Sequence, residues 1–263
     1  MGERIKPKQE IIEIIGDGIT RLCLEAPEWS FGAPNWYLVK GENGIAVIDT
    51  GQGLSKETDL FKKAWGSMGK PPVDAVILTH YHFDHSGGAE AISELTGTQR
   101  VIGGDEKKVE AQEVDLGGRK LTIIPTPGHT ADSLCVLDDK TGILFTGDTL
   151  IEGMDSVVVT DMSEYVKSLK LLQQMEPNKI LSGHGLPIDN TFEKIEKYIE
   201  RTYQRESVVM SFVGRGYDTV DSLHARMYPD KTGSGRVQIV SHIDKLIKDG
   251  RLKEVDGRLE LSV

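Results

Sequence analysis

The chain has 263 residues, 38% apolar and 27% charged, with a formal net charge of −10. That length suffices for one large domain, or for a domain with a small appendage. No apolar run approaches the roughly 18–20 residues needed to span a bilayer, and the acidic balance argues against strong nucleic-acid binding. The opening residues Met1 to Lys8 lack the apolar core and cleavage site of a signal peptide. Two cysteines, Cys23 and Cys135, fall in no metal or redox spacing, which predicts buried thiols and a cytoplasmic location. The charge is uneven: from Phe192 onward 13 basic residues meet 12 acidic ones, whereas the preceding 191 residues carry 18 against 29.

In chain order, residues 11–15, 20–24, 36–40 and 44–49 are predicted as short strands, with Gly16-Asp17-Gly18 and Gly41-Glu42-Asn43-Gly44 as turns. Residues 54–68 have helical character and end at Gly69 and the Pro71-Pro72 pair. Residues 73–78 form a continuous apolar run of the kind found in strands covered on both faces. Directly after it comes Thr79-His80-Tyr81-His82-Phe83-Asp84-His85-Ser86-Gly87-Gly88, with three histidines and an aspartate in six positions. Imidazole nitrogen and carboxylate oxygen suit zinc and similar divalent ions. Burying these groups without a cation would cost several kcal/mol, as an order of magnitude.

A short helix is predicted over residues 88–95, and strands over 121–124, 133–137, 143–145 and 179–181. Residues 163–175 place Tyr165, Val166, Leu169 and Leu172 on one helical face, with Asp161 as cap and Pro177 beyond the end. Three further helices, 192–210, 219–227 and 237–249, precede strands 251–255 and 258–263 joined by Asp256-Gly257. Helix, helix, helix, hairpin is the order of a winged helix, which commonly reads DNA with its third helix. The near-neutral charge of this segment favours a packing or dimerisation module instead, and with it a homodimer. His224 and His242 are expected as packing or surface residues. Trp29, Phe31, Trp36 and Tyr37 either line a cleft or belong to the core.

The other histidines sit in local settings like that of the first cluster. His129 lies in Pro127-Gly128-His129-Thr130, and His184 in Ser182-Gly183-His184-Gly185. Asp148 lies in Gly147-Asp148-Thr149. Each follows the carboxyl end of a predicted strand and adjoins glycine. Loops at that end of a sheet can converge ligands from distant positions, and glycine permits close backbone approach.

On these residues the chain resembles the metallo-β-lactamase superfamily, whose signature is HxHxDH followed by a distant His, Asp and His. The resemblance covers residues 11–190 and fills all seven ligand positions. It implies an α+β fold, an αββα sandwich over residues 1–191, with a small winged-helix-like domain over 192–263. It also implies that His80, His82 and His129 bind one metal and that Asp84, His85 and His184 bind a second. Asp148 would bridge the two, and Asp84 would serve as catalytic proton acceptor. His82 stands where the oxygen-reducing diiron branch carries glutamate, which favours two zinc ions, with iron or manganese also suited. Asp49, in Val47-Ile48-Asp49-Thr50-Gly51, matches an acidic strand-end residue that orients the ligand loop.

Gly147 to Asp155, Thr160 to Tyr165, Ser168-Leu169, Tyr198 to Arg201 with Arg205-Glu206, and the tail carrying His242 to Leu246 look like a lactamase-B-like group that includes an endoribonuclease. Ser182 departs from the proline usual there. The resemblance therefore implies a binuclear zinc hydrolase that uses a metal-bridging hydroxide to cleave phosphodiesters of single-stranded RNA. The alternatives are a thioesterase similar to glyoxalase II, or a lactonase or β-lactamase acting on a small carbonyl substrate. A non-enzyme alternative is a winged-helix DNA-binding regulator with a sensory metal site.

Overall fold

Strands buried on both faces alternate between two apolar environments, and this alternation builds the first sheet. The computed structural model describes residues 10–24, 33–105, 107, 109–153, 155–229 and 233–262. Trp29, Phe31, Met154 and Val263 lie outside them. Strands β1 (Glu10–Gly16), β2 (Ile19–Leu24), β3 (Trp36–Lys40), β4 (Ile45–Ile48), β5 (Val73–Ile77) and β6 (Val101–Ile102) pair in that order. The first four run antiparallel, while β5 is parallel to β4 and β6 to β5.

A second sheet has the order β11 (Lys179–Ser182), β10 (Ile143–Gly147), β9 (Leu134–Asp138), β8 (Lys120–Pro125), β7 (Gln112–Asp115). Only the β10–β11 pair is parallel in it. Ile19, Tyr37, Val39, Ala46, Ile48, Ala75 and Ile77 of the first sheet pack with Val114, Leu121, Ile123, Val136, Phe145 and Leu181 of the second. Their chain neighbours Leu22, Trp36, Leu38, Ile45, Val47 and Val76 point the other way. There they meet Leu60, Phe61 and Ala64 of α1 (Ser55–Ser67) and Ile92 of α3 (Ala89–Thr96). The period of two thus divides one apolar strand between two cores. Trp36 and Tyr37 both belong to these cores, on opposite faces.

Packing divides the described residues into two units. One holds those up to Pro125 with 132–153 and 177–189; the other holds 126–131, 155–176 and those from Asn190 onward. In the second unit α4 (Met162–Gln174) starts at Asp161, whose carboxylate accepts from the Ser163 and Glu164 amides. α5 (Thr191–Val213) runs past its expected end because Val209 and Val213 continue its buried stripe. α7 (Gly233–Lys248) begins earlier than expected, its first turn hidden in the sequence by two glycines. With α6 (Val220–Met227), α5 and α7 enclose Val209, Leu223, Ile239, Ile243 and Leu246, and Leu252 and Leu259 of the hairpin β12 (Leu252–Val255)–β13 (Arg258–Leu261) close that core. Asp256 and Gly257 both have positive φ, 48° and 74°, as a two-residue hairpin turn demands.

One ion pair is sealed inside the first unit. Arg119 Nε donates to Asp138 Oδ1 at 3.0 Å, and Nη2 donates to Oδ2, with both side chains almost wholly buried. The remaining guanidinium edge donates to the carbonyls of Asp17 and Lys40, tying the β1–β2 and β3–β4 turns to the second sheet. Removing one partner leaves a buried charge uncompensated, so Arg119→Ala should cost about 3–5 kcal/mol. Urea denaturation measures this; a loss below about 1 kcal/mol would contradict the assigned role.

Candidate metal centre

Two parallel strand pairs bring the site together. β4 and β5 run side by side in one direction, so Asp49 and Thr79 leave the first sheet at the same edge. β10 and β11 do the same, with Gly147 opposite Ser182, so the loops carrying Asp148 and His184 leave the second sheet side by side. The glycines make this closeness feasible. A Cβ on Gly183 would lie 2.5 Å from Asp148 Oδ1 and 2.6 Å from His85 Cε1. Gly147, at φ 47°, sits so close to the Thr79 side chain that any Cβ would collide with it.

Asp49 organises the first of these edges. It is 2% exposed and left-handed, with φ 58°. Its Oδ1 accepts from the Thr79 amide at 2.8 Å, and its carboxylate accepts from Thr79 Oγ1. Its Oδ2 lies 2.9 Å from His85 Nδ1. His85 rides on the single turn α2 (Phe83–Ser86), and its carbonyl accepts from both the amide and the hydroxyl of Thr50, each at 2.8 Å. Held at Nδ1, His85 presents Nε2 to the interior of the site.

His85 and His184 each face the carboxylates of Asp84 and Asp148 there, and Asp84, His85 and His184 form a group with metal-ligand spacing. His85 Nε2 is 3.3 Å from His184 Nε2, 3.5 Å from Asp148 Oδ1 and 3.7 Å from Asp84 Oδ2. His184 Nε2 is 3.3 Å from Asp84 Oδ2 and 3.6 Å from Asp148 Oδ1. Ligands at 2.0–2.2 Å around a tetrahedral ion stand about 3.3–3.6 Å from one another. These residues therefore fit a divalent cation. His80 Nε2 lies 3.0 Å from His82 Nδ1, and His80, His85 and Asp148 form a further group with metal-ligand spacing. His129 belongs to the second unit. Its Nδ1–H donates to the Val157 carbonyl at 2.6 Å.

Several supporting residues escaped the sequence reading. Asn35 Nδ2 donates to the carbonyls of Ser182 and Gly185 at 3.1 and 2.9 Å, and Tyr37 Oη donates to that of Ser182 at 2.7 Å. Together they pin the His184 loop from β3 and the residue before it. Ser182, the departure from proline, donates its hydroxyl to the His184 carbonyl at 2.7 Å and so restrains the loop by another route. The available signal for Tyr37 was a polar-tipped aromatic inside an apolar strand.

The charges are strongly coupled. Burial alone would depress His85, but Asp148, Asp49 and Asp84 around it outweigh that and lift it to about 9. Burial pushes the Asp84 carboxyl up, yet the hydrogen bond from His184 and the charges of His85 and His184 hold it well below the usual carboxylate range. Burial lowers His82, against the pull of Asp84 and Asp148.

Residues 29–109 and 97–184 match the family model for the metallo-beta-lactamase superfamily. A "Beta-lactamase-like protein 2 homolog" of Caenorhabditis elegans is 26% identical over 92% of this chain and 88% of its own length. An "Atrochrysone carboxyl ACP thioesterase" of Aspergillus fumigatus is 31% identical over 76% of this chain and 66% of its own. The crystal structure of a beta-lactamase domain protein from Burkholderia ambifaria superposes with a TM-score of 0.78 at 17% identity, covering 94% of each chain.

In metal-free protein the raised His85 favours the protonated fold. Its contribution is complete below its unfolded value of about 6.5 and is lost as pH rises through about 9. Chelator-stripped protein should therefore lose thermal stability between these values, and Asp49→Asn should flatten the slope. Melting temperatures that stay level or rise across this window would refute the account.

Proposed function

The chain belongs to the metallo-beta-lactamase superfamily and is a hydrolase, and we propose that it is a two-metal hydrolase of carbonyl substrates, acyl thioesters foremost. The observation that carries the metal reading is that Nε2 of His85 and of His184 lie 3.3–3.7 Å from each other and from carboxylate oxygens of Asp84 and Asp148. In this reading Asp84, His85 and His184 would hold one ion and His80, His82 and His129 the other, with Asp148 available to both. Zinc suits the set best, with iron and manganese also accommodated. Cations held there would supply Lewis acidity, lowering the pKa of a bound water and offsetting negative charge that develops on the substrate.

The residues divide the remaining work. Asp84 stays a carboxylate at any working pH and its side chain is one-third exposed, so it can accept a hydrogen bond from the attacking water and take its proton. Asp49 and Thr50 fix His85, and Asn35 and Tyr37 fix the His184 loop, so the donors hold their geometry without reorganising.

Three observations support a carbonyl substrate. The Aspergillus relative is named as a thioesterase. Phe83, between two ligands, is 69% exposed, and Leu186, two residues after His184, is 65% exposed; both offer apolar surface suited to an acyl group. The net charge of −10 repels a polyanion. Cleavage of single-stranded RNA is the second reading, supported by the group motif from Tyr198 to Glu206. There the same nucleophile would attack phosphorus instead of carbon. The C-terminal helices and hairpin serve in this reading as a winged-helix-like packing module, open to homodimer formation. Among the described residues no helix is long and apolar enough to cross a membrane, and the buried thiols Cys23 and Cys135 suit a cytoplasmic setting.

Metal-quantified protein assayed on acyl thioesters, a lactone, nitrocefin and single-stranded RNA separates the readings. Thioester turnover is expected, abolished by chelator and restored by zinc. RNA cleavage without thioester turnover would select the second reading. Asp84→Ala with its metal content restored should lower kcat/KM by about 100- to 10,000-fold; a near-unchanged rate would remove Asp84 from catalysis.

A further inference from the structure

The second unit carries an open groove of about 580 Å³ beside α5 and the end of α6. Arg201, Arg205 and Phe212 line it from one stripe of α5, and Arg226 and Tyr228 line it from the other side. Its lining holds three guanidinium groups and, among the described residues, one carboxylate, Asp155, in a protein whose net charge is −10. Asp155 accepts from Arg201 Nη1 at 2.7 Å and from Arg205 Nη2. Each guanidinium has five N–H donors, so this pairing leaves most of them available.

A tie between the segment at Asp155 and α5 accounts for Arg201 and Arg205 but not for Arg226. Arg226 is exposed and has no ion pair among the described residues; its guanidinium lies over the Phe212 ring, 5.5 Å from the centroid. That stack is a flat cationic shelf beside Tyr228, the kind of surface on which a nucleobase lies.

A second observation comes from behind the same Asp155–Arg205 pair. A small cavity of about 10 Å³, room for about one water, is lined there by Asp155, Arg205, Gln238 and His242 among others. His242 is 1% exposed and Gln238 6%, yet both ring nitrogens of His242 and Oε1 of Gln238 have no hydrogen-bond partner among the described residues. Buried polar atoms in that condition call for solvent or ligand.

We propose that this groove binds a nucleotide. Arg201, Arg205 and Arg226 hold its phosphate, and the base lies on the Arg226–Phe212 shelf next to Tyr228. The volume falls within the range of small-molecule sites. Two sources share this chemistry: a free nucleotide, and the nucleotide end of a coenzyme A thioester. The site is independent of the hydrolytic reading, and binding alone tests it.

Titration calorimetry of the full-length, metal-loaded protein with ADP, coenzyme A and inorganic phosphate makes that test. ADP or coenzyme A is expected to saturate below about 1 mM, and phosphate far more weakly. Coenzyme A binding at least tenfold tighter than ADP identifies the thioester carrier; equal or tighter ADP identifies a free nucleotide. Arg226→Ala should weaken binding at least tenfold with an unchanged melting temperature, and Arg226→Lys should recover only part of the loss. The proposal fails if neither nucleotide saturates, if phosphate matches them, or if Arg226→Ala binds as the parent does. It also fails if only a 5′-phosphorylated oligoribonucleotide binds.

Discussion

The buried carboxylate of Asp49 is the constraint on which the metal centre depends. It occupies a left-handed position at the end of β4, a conformation costly for a residue with a side chain. In return it binds the amide and hydroxyl of Thr79 at the end of β5 and Nδ1 of His85. One side chain therefore fixes the spacing of two strand ends and the tautomer of the histidine around which the other donors stand. His85 Nε2 is within 3.7 Å of three further ligand atoms, and small errors in ring orientation would spoil all three separations together.

The charge balance follows from that geometry. Three carboxylates, Asp49, Asp84 and Asp148, act on a histidine with no exposure. Without a cation the site holds a proton on His85 to offset them. A divalent ion held there would do the same work with more charge and better-directed bonds, and its binding would release that proton. Asp84, whose carboxyl is held well below the usual carboxylate range, is also the most exposed of the three.

Much of this was legible in the sequence because it is local. The apolar run ending at Leu78 marks a doubly covered strand, and glycines beside His184 and Asp148 mark loops that must approach other atoms closely. β6 and β7 were not legible: one has two residues, and Gln112-Glu113-Val114-Asp115 carries one apolar side chain. The turn α2 was hidden because four residues dominated by ligand chemistry show no helical period. Asn35 and Tyr37 act on a loop about 145 residues away, and no spacing rule reaches across that separation. The start of α7 was masked by Gly233 and Gly235, whose poor helix propensity is overridden by packing.

The second unit is more than a cap on its own core. Its helices could have been stabilised by the apolar set from Val209 to Leu259 alone, yet the unit also contains a half-buried carboxylate clamped by two arginines and a third arginine stacked on an aromatic ring. Exposed ion pairs add little to stability, and clustering like charges on α5 costs some of it. His242, buried between Arg205 and Lys245, is pushed down to about 4, by desolvation first and by those cations second. A positive potential inside an acidic chain, held at a stability cost, is better explained by an anion that the unit receives than by the folding of the unit itself.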